Sequence, residues 1–313
     1  MDLDIVIVTY NRLEKLKKAL LCYEQQTASF RNLILVDNCS TDGTKEYLDK
    51  WKQQKAPFQK VVIHAEENLG GSGGFYLGQK KAMELGADWV FVADDDAYAA
   101  TDMIEQFYCF IEENRGLQYS AICGEVINTD GSICLTHRAN FVIKPCKYIF
   151  RQNSSFEDYQ KRYFQIDILS YVGSFLNVHS LRKTGLVNPL YFIYFDDTEH
   201  SFRLKKTGNI VCVPAIKIVH ESAASSTHSN SEIVVSWRDY YQLRNEMHMI
   251  LKHKPIIGIR ILARYFRKTY LSPRKLSSYD KVKSISYLHA VFNILGKNKK
   301  YSPGWEIKTN IAN

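Results

Sequence analysis

Long apolar runs and an export signal are both absent from this chain of 313 residues. No stretch reaches the roughly 18 consecutive apolar residues that a helix needs to cross a bilayer. The N-terminus passes from Met1-Asp2-Leu3-Asp4 directly into the apolar run 5–8, without the basic segment that opens a signal peptide. We therefore expect a cytoplasmic protein without a transmembrane helix.

Closely spaced cysteine pairs are lacking as well. The seven cysteines are an odd number scattered along the chain, which fits reduced thiols better than a disulfide framework or a zinc site. We expect them to have structural roles. They lie at positions 22, 39, 109, 123, 134, 146 and 212.

Acidic residues are scarce near the C-terminus. Residues 252–308 contain 14 Lys and Arg against the two acids Asp280 and Glu306, a balance of +12. Since the net charge of the whole chain is +8, the remainder carries −4. The 20 Tyr and 16 Phe argue against a disordered chain. The basic character therefore belongs to a folded C-terminal region.

Short β-branched apolar runs alternate with segments of helical spacing in the first 100 residues. This alternation predicts an α/β fold with a mostly parallel sheet and helices on both faces. Ligands of such sheets bind beyond the carboxyl ends of the strands, where Thr9, Asp37 and Asp94 fall. Strands are predicted at 5–9, 33–36, 61–63 and 89–93, and helices at 13–23, 42–53 and 72–86.

The order of elements loosens after residue 120. Strands are predicted near 121–127, 210–213 and 217–219, and a helix after Asp196. From residue 232 to the C-terminus the pattern is helical. In Pro255–Leu271 the bases at 260, 264, 267 and 268 share one helical face and apolar residues line the other. We therefore divide the chain into residues 1–231 and a basic helical appendage, 232–313.

The triplet Asp94-Asp95-Asp96 follows a predicted buried strand. Three clustered carboxylates repel one another, which makes sense if a divalent cation sits among them. Such a cation would also leave coordination positions for the two phosphates of a nucleotide-sugar and neutralise their charge. The alternative is a solvated acidic turn that caps a helix.

Four glycines open the predicted third helix in the run from Asn68 to Phe75. Glycines let backbone approach a ligand, and the start of a helix offers N–H groups to an anion, so a phosphate or sugar contact fits. The spacing is neither Walker A nor a dinucleotide fingerprint, and a flexible loop is an equal alternative. Asp37 likewise suits either a ligand contact or a turn.

Acids and histidines late in the chain are further candidates. Asp197 follows an aromatic run and can act as a general base or as a helix cap. His220 ends a predicted strand, from which an imidazole can complete the coordination of a metal, although most single histidines have no such role.

Taken in order, these segments resemble family 2 glycosyltransferases of the GT-A fold, particularly galactofuranosyltransferase-like and rhamnosyltransferase-like members. The resemblance covers about residues 3–250 and implies a Rossmann-like sheet flanked by helices. It assigns 1–120 to nucleotide-sugar binding and 121–231 to the acceptor. The matching segments are 8–12, 36–38, 68–75, 94–96, 195–199 and 219–220, with 237–245 similar to galactofuranosyl-transferring relatives.

The resemblance implies roles for individual residues. Asp197 would be the catalytic base, and Mn²⁺ or Mg²⁺ would be held by Asp94, Asp96 and His220. The donor would be bound by Thr9, Tyr10, Asn11, Arg12, Asp37, Asn68, Gly70, Gly71, Gly73, Gly74, Asp94 and Asp95. The acceptor would be bound by Gly173, Ser174, Asp196, Glu199 and His200.

The implied reaction is a single displacement that inverts the anomeric carbon. The implied donor is a UDP-sugar, foremost UDP-galactofuranose with rhamnosyl or other hexosyl donors as alternatives, and the acceptor is a glycan or polyprenyl-linked glycan of a bacterial surface polysaccharide. The chain is shorter than the bifunctional polymerases of the group, which favours the addition of one or a few sugars.

Two other functions compete with this hypothesis. A sugar nucleotidyltransferase shares the sheet and the acidic site, but its relatives carry a glycine-rich basic loop where this chain has Tyr10-Asn11-Arg12. The presence of the acidic triplet, Asp197 and His220 together argues against a binding protein without catalysis. For the basic appendage we favour a membrane surface over a solvated face, and expect no nucleic-acid partner. Homo-oligomerisation is left open.

Overall fold

The computed structural model describes residues 1–143, 149–221, 232–271 and 275–310. Within these ranges the cysteines at 22, 39, 109, 123, 134 and 212 are free thiols, in agreement with the expectation of reduced cysteines. Cys146 lies outside the described residues. No helix in the described part is both long enough and apolar enough to cross a membrane.

The strands confirm the predicted alternation in the first 100 residues and extend it. They are β1 (Leu3–Thr9), β2 (Asn32–Asp37), β3 (Gln59–His64), β4 (Trp89–Asp94), β5 (Ala97–Ala99), β6 (Tyr119–Asn128), β7 (Ala139–Ile143), β8 (Ile149–Asn153), β9 (Phe164–Ile166), β10 (Ser174–Asn177), β11 (Asn209–His220), β12 (Glu232–Ser236) and β13 (Glu306–Asn310).

The helices also follow the predicted pattern in the N-terminal half. They are α1 (Leu13–Glu24), α2 (Thr44–Lys52), α3 (Gly70–Glu84), α4 (Met103–Glu113), α5 (Val178–Thr184), α6 (Asp196–Leu204), α7 (Trp237–His253), α8 (Pro255–Tyr270) and α9 (Ser278–Val291).

The main sheet has nine strands in the order β3-β2-β1-β4-β10-β6-β11-β5, with β9 beside β11. Strands β1 to β4 pair in parallel, so their carboxyl ends lie at one edge. β10 is antiparallel to both of its neighbours and separates this half from the parallel pair β6 and β11. The predicted α/β architecture with a large central sheet is confirmed.

The core lies on both faces of this sheet. Side chains alternate between faces along a strand, and in β1 Ile5 and Ile7 belong to one apolar cluster while Val6 and Val8 belong to the other. All seven residues of β1 are buried. Leu16 and Leu20 of α1 are buried at helical spacing in the first cluster. The continuous apolar runs of the sequence therefore correspond to strands covered on both sides.

The region after residue 120 differs from the prediction in one element. We predicted two strands at 210–213 and 217–219, but β11 is continuous from Asn209 to His220, with an irregularity in its pairing to β6 between Val213 and Lys217. Its last three residues pair with β5. Pro214 lies within the irregular stretch, where its lack of an N–H prevents it from donating to the ladder.

The chain forms two compact units, one of Met1–Phe141, Arg151–Pro189 and Asp197–Ser222, and the other of Val142–Phe150, Leu190–Asp196 and Ala223–Asn313. Two short segments that precede residue 231, Val142–Phe150 and Leu190–Asp196, therefore belong to the C-terminal unit. That unit contains α7, α8 and α9 and a small antiparallel sheet of β12 and β13, which the helical pattern did not predict.

The close approach of α3 to β1 depends on glycine. A methyl group on Gly78 would lie 2.2 Å from Cγ1 of Val6, whereas one on Gly71 would meet nothing within 4 Å. Val6 is fully buried and β-branched, so it has little freedom to move aside.

We expect Gly78→Ala to lower the free energy of unfolding by about 1–3 kcal/mol, as overpacking does. Gly71→Ala is the matched control on the same helix and should be neutral or slightly stabilising, because alanine favours helix. Urea unfolding followed by circular dichroism measures both. Equal effects of the two substitutions would contradict this account of the α3 packing.

Candidate functional site

The site lies at the sheet edge where β1, β2 and β4 end. Thr9 is the register partner of Asp37, and Val8 is that of Asp94. Since the parallel strands end side by side, residues far apart in sequence become neighbours there. The structure thus places Thr9, Asp37 and Asp94 at one edge, as the alternation of elements predicted.

Two carboxylates beyond β4 are buried and compensated by the last residue of β1 and by a residue of the loop that follows it. The hydroxyl of Thr9 donates to Oδ2 of Asp95 at 2.7 Å, and Nη1 of Arg12 lies 3.2 Å from Asp95 Oδ1 and 2.7 Å from Asp96 Oδ2. Burial raises the pKa of Asp95 to about 6, although Thr9 and Arg12 act against this rise.

His220 reaches the same carboxylates through the pairing of β11 with β5. In that ladder His220 is the register partner of Ala97, the residue after Asp96. Its Nε2 lies 3.4 Å from Oδ1 of Asp96. Burial alone would raise the pKa of Asp96, but the hydrogen bond with His220 and the charge of Arg12 outweigh it, and the pKa is lowered.

The donor atoms suit a divalent cation only in part. Asp96 and His220 offer a carboxylate and an imidazole side by side, and Mn²⁺ accepts both types of ligand. Asp94, the third predicted ligand, ends β4 two residues earlier. Among the described residues, no three His, Cys, Asp or Glu side chains are grouped closely enough to hold a metal ion. Arg12 and Lys15 instead contact Oδ2 of Asp96.

The loops after β1 and β2 are joined by side chains of the predicted donor site. Asn11 has a positive φ of 51°, and its side-chain oxygen accepts from the amide of Thr41 at 2.7 Å. Asp37 is buried, accepting from the amide of Ser40 at 2.9 Å and lying 3.0 Å from Nδ1 of His64. Both residues therefore shape the loops that border the edge. Tyr10 is exposed beside them.

The glycine run has two separate tasks. Oδ1 of Asn68 accepts from the amide of Gly70 at 2.8 Å, which fixes the turn into α3. Added methyl groups at Gly73 and Gly74 would collide at 2.4 Å with Leu69 and Val8, so these glycines allow close packing. Gly71 has open space. The packing of Gly74 against Val8 was missed because sequence spacing does not say which helix face meets the sheet.

Asp197 stands in the first turn of α6 and is partly buried. Its Oδ1 accepts from the amide of Thr198 at 2.5 Å and from the Thr198 hydroxyl at 3.0 Å. Removal from water raises the pKa of Asp197, while the positive charge of Arg151 acts in the opposite direction. A recessed carboxylate with a raised pKa is suited to accept a proton.

The segment before α6 has a strained backbone. Phe192, Tyr194 and Phe195 have φ values of 68°, 64° and 63°. The side-chain nitrogen of Asn245 on α7 donates to the carbonyls of Tyr191, Ile193 and Tyr194 at 2.8–2.9 Å. Strained backbone persists only where surrounding contacts hold it, so Asn245 keeps in place the segment that leads to α6.

The predicted acceptor residues are mostly engaged within the protein. Glu199 is fully buried and bonded to Arg203 at 2.9 Å, and Nδ1 of His200 lies 2.5 Å from the Tyr171 hydroxyl. Gly173 has a positive φ of 73° and packs on Ile218, while Ser174 is buried and donates to the carbonyl of Ser170. These contacts favour structural roles. Asp196, half-buried, begins α6.

Sequence reasoning missed several residues of the site. Lys15, one helical turn after Arg12, lies 3.5 Å from Oδ2 of Asp96, and this spacing was the available signal. The ring of His137 stands 5.1 Å from that of His220, edge to face. Arg138 is fully buried and donates to the carbonyls of Gly124, Val172 and Gly173. No sequence signal points to Arg138, because its partners are backbone carbonyls from distant segments.

Comparison with known protein families gives one match to residues 4–184, described as glycosyl transferase family 2. This segment covers more than half of the chain and contains the residues of β1, β2, α3 and β4 that form the site. Asp197 and His220 lie beyond it.

Curated relatives share shorter segments. The galactofuranosyltransferase GlfT1 of Mycobacterium tuberculosis is 38% identical over 96 residues, which is 30% of this chain and 30% of that protein. The putative teichuronic acid biosynthesis glycosyltransferase TuaG of Bacillus subtilis is 24% identical over 118 residues, 37% of this chain and 44% of the relative. The matches thus span less than half of the length of these relatives.

Solved structures share the fold at low sequence identity. TarS residues 1–349 of S. aureus in complex with UDP-GlcNAc superposes with a TM-score of 0.58 at 17% identity, covering 93% of this chain and 82% of that one. GalNAc-T7 with UDP, GalNAc and Mn²⁺ gives a TM-score of 0.62 at 16% identity, covering 94% and 56%.

Stability measurements can test the structural role of His200. Burial lowers the pKa of His200 to about 3, so below the ordinary histidine pKa of about 6.5 the unfolded chain binds a proton that the folded chain does not. The stability contributed by His200 is therefore complete above that value and is lost as the pH falls, at about 1.4 kcal/mol per pH unit.

We expect His200→Gln to show a shallower fall of unfolding free energy than the unmodified protein between about pH 6.5 and pH 5. The exposed His179→Gln should leave the slope unchanged. Urea unfolding at several pH values measures this, and identical slopes for all three proteins would refute the core assignment of His200.

Proposed function

The chain belongs to glycosyl transferase family 2, and we propose that it is an inverting, metal-dependent glycosyltransferase that moves a sugar from a nucleotide-diphospho-sugar to a hydroxyl group of a glycan. The observation that carries the proposal is the contact of His220 with Asp96, at 3.4 Å, at the sheet edge where Thr9 and Arg12 hold the neighbouring carboxylates. The side chain of His220 is only 14% exposed and that of Asp96 only 5%, so this pair is largely shielded from water.

The donor we propose is a UDP-sugar, with UDP-galactofuranose first. Similarity to GlfT1 supports galactofuranose, and the fold shared with TarS and GalNAc-T7, solved with UDP-GlcNAc and with UDP, supports a uridine nucleotide. Rhamnosyl or other hexosyl donors are the alternatives. Thr9, Asn11, Asp37 and Asn68 border the edge where the nucleotide would bind.

We propose Mn²⁺ or Mg²⁺ as the cofactor, with Asp96 and His220 as adjacent protein ligands and Asp94 as the third. When bound, such a cation stabilises the negative charge of a departing diphosphate. Asp95 remains bonded to Thr9 and holds the loop between β4 and β5. GalNAc-T7, of similar fold, was solved with Mn²⁺, which supports this choice.

Asp197 is the proposed general base. Its carboxylate accepts a proton from an acceptor hydroxyl while that oxygen attacks the anomeric carbon from the face opposite the leaving group. One displacement inverts the configuration, so no nucleophilic side chain is required. The raised pKa of Asp197 increases its affinity for that proton.

With UDP-galactofuranose, Mn²⁺ and a glycan acceptor we expect release of UDP and a product of inverted anomeric configuration, measured by coupled assay and NMR. Asp197→Asn should reduce turnover by about 10²- to 10⁴-fold, the range of general-base catalysis, while UDP binding is retained. The apparent pKa of the acidic limb of the kcat/KM profile should lie above the ordinary aspartate pKa of about 3.9, because activity rises as the base loses its proton.

Asp130→Asn, at an exposed turn, is the control and should keep full activity. Formation of pyrophosphate from a sugar phosphate and a nucleoside triphosphate would establish a nucleotidyltransferase instead. UDP-sugar binding without turnover for any donor and acceptor pair would favour a binding protein. Full activity of Asp197→Asn would remove the base assignment alone.

We further propose that the C-terminal unit docks on the cytoplasmic face of a membrane, where a polyprenyl-linked acceptor is found. α8 has no acidic residue, and its exposed side chains include bases at 260, 264, 267 and 268. On the same exposed surface Ile256 and Ile259 are 68% and 61% exposed. Exposed isoleucines beside bases suit an anionic bilayer surface, where each Lys or Arg contributes about 1 kcal/mol.

We expect the double substitution Ile256→Glu with Ile259→Glu to reduce binding to phosphatidylglycerol vesicles at least about 10-fold, because it removes apolar contact and adds negative charge. Leu21→Glu, at an exposed apolar residue of α1, is the control. Co-sedimentation measures the bound fraction. Equal sedimentation of the variant and the unmodified protein would defeat the membrane proposal without affecting the enzymatic one.

A further inference from the structure

The two oxygens of the Asp96 carboxylate face different partners. Oδ1 lies 3.4 Å from Nε2 of His220, while Oδ2 lies 2.7 Å from Nη1 of Arg12 and 3.5 Å from Nζ of Lys15. Oδ2 of Asp96 is therefore in contact with two positive side chains.

These cations can leave more easily than the carboxylates. The side chains of Arg12 and Lys15 are 45% and 28% exposed, whereas those of Asp95 and Asp96 are 4% and 5% exposed. Arg12 contacts both carboxylates through the single nitrogen Nη1, not through a two-pronged guanidinium contact. Both cations stand at the start of α1 on long side chains. Lys15 also donates to the carbonyl of Glu221 at 2.8 Å and lies 3.8 Å from its Oε1, so it keeps a second partner when it leaves Asp96.

If Arg12 and Lys15 move away, the negative charges of Asp95 and Asp96 need another positive partner. Asp95 and Asp96 are buried next to each other, and uncompensated buried charges are costly. A divalent cation at Asp96 would restore the balance but would compete with Arg12 and Lys15 for Oδ2. The displaced side chains then require an anion, and the diphosphate of a nucleotide-sugar is the anion that the proposed reaction brings to this edge.

We propose that Arg12 and Lys15 are exchangeable counter-charges: they neutralise Asp96 in the donor-free protein and move to the diphosphate when the donor binds, which opens Oδ2 of Asp96 to the divalent cation. This inference rests on the proposed function. It assigns Arg12 to the diphosphate, whereas the family resemblance assigned it to the nucleoside. It also assigns Lys15 to the diphosphate. The exchange couples the binding of metal and nucleotide, and such coupling is reciprocal.

The test measures binding of Mn²⁺ alone, of UDP alone, and of Mn²⁺ at saturating UDP, by calorimetry and by the electron paramagnetic resonance of free Mn²⁺. In the unmodified protein Mn²⁺ should bind at least about 10-fold more tightly with UDP than without it, within the usual range of coupling. In Arg12→Gln/Lys15→Gln, Mn²⁺ alone should bind several-fold more tightly and UDP more weakly, so the coupling factor falls at least about five-fold.

Lys18→Gln is the matched control. Lys18 lies one turn after Lys15 on α1 and contacts the same Glu221, at 3.3 Å, but not Asp96. Its loss therefore removes a nearby positive charge without removing a partner of Asp96. It should change the coupling less than about two-fold. Direct attraction between Mn²⁺ and the UDP phosphates is present in every variant, so the difference between variants reports the exchange. The single substitutions separate the contributions of Arg12 and Lys15. Thermal unfolding curves verify that each variant is folded.

An unchanged or weakened affinity of the double variant for Mn²⁺ alone, or an unchanged coupling factor, would overturn the inference while UDP binding upholds the proposed function. If folded, unmodified protein binds neither Mn²⁺ nor any nucleotide, the proposed function itself fails, and the exchange with it.

Discussion

The burial of Asp95 and Asp96 at the end of β4 is the constraint on which the rest of the site depends. Carboxylates that are nearly excluded from water must be matched by donors and cations. Thr9, Arg12 and His220 supply them from two other parts of the chain. The loop between β4 and β5 is therefore fixed by contacts with Thr9, Arg12 and His220.

Two pairing arrangements bring these partners together. Parallel pairing of β1 with β4 places Thr9 and Arg12 beside the acidic loop, and the antiparallel pairing of β11 with β5 delivers His220 from the other end of the sheet. A family 2 glycosyltransferase that uses this edge would have a rigid scaffold under both nucleotide and metal. In the exchange that we propose, Arg12 and Lys15 are the groups that move, because their side chains are more exposed than those of Asp95 and Asp96.

Local sequence predicted the elements well where one pattern dominated. Continuous apolar runs identified β1, β2 and β4, and the spacing of Leu16 and Leu20 identified α1. Prediction from local sequence failed where the state of a residue depends on partners that are distant in the chain. β12 contains the short apolar run Ile233-Val234-Val235 but continues directly into α7, and we included it in the helical pattern. Its strand pairs with β13, 70 to 78 residues away by register. We predicted Glu199 and His200 to bind the acceptor, but both are buried and contact Arg203 and Tyr171 inside the protein.

The sequence by itself determined the α/β alternation, the acidic triplet at a strand end and the basic character of the C-terminal region, because each of these is written in neighbouring residues. Only the tertiary structure decided that His220 meets Asp96, that Lys15 joins Arg12 there, and that Gly74 serves packing against Val8. Those relations depend on strand register and on which helix face meets the sheet, and both are set by the packing of segments that are remote in sequence.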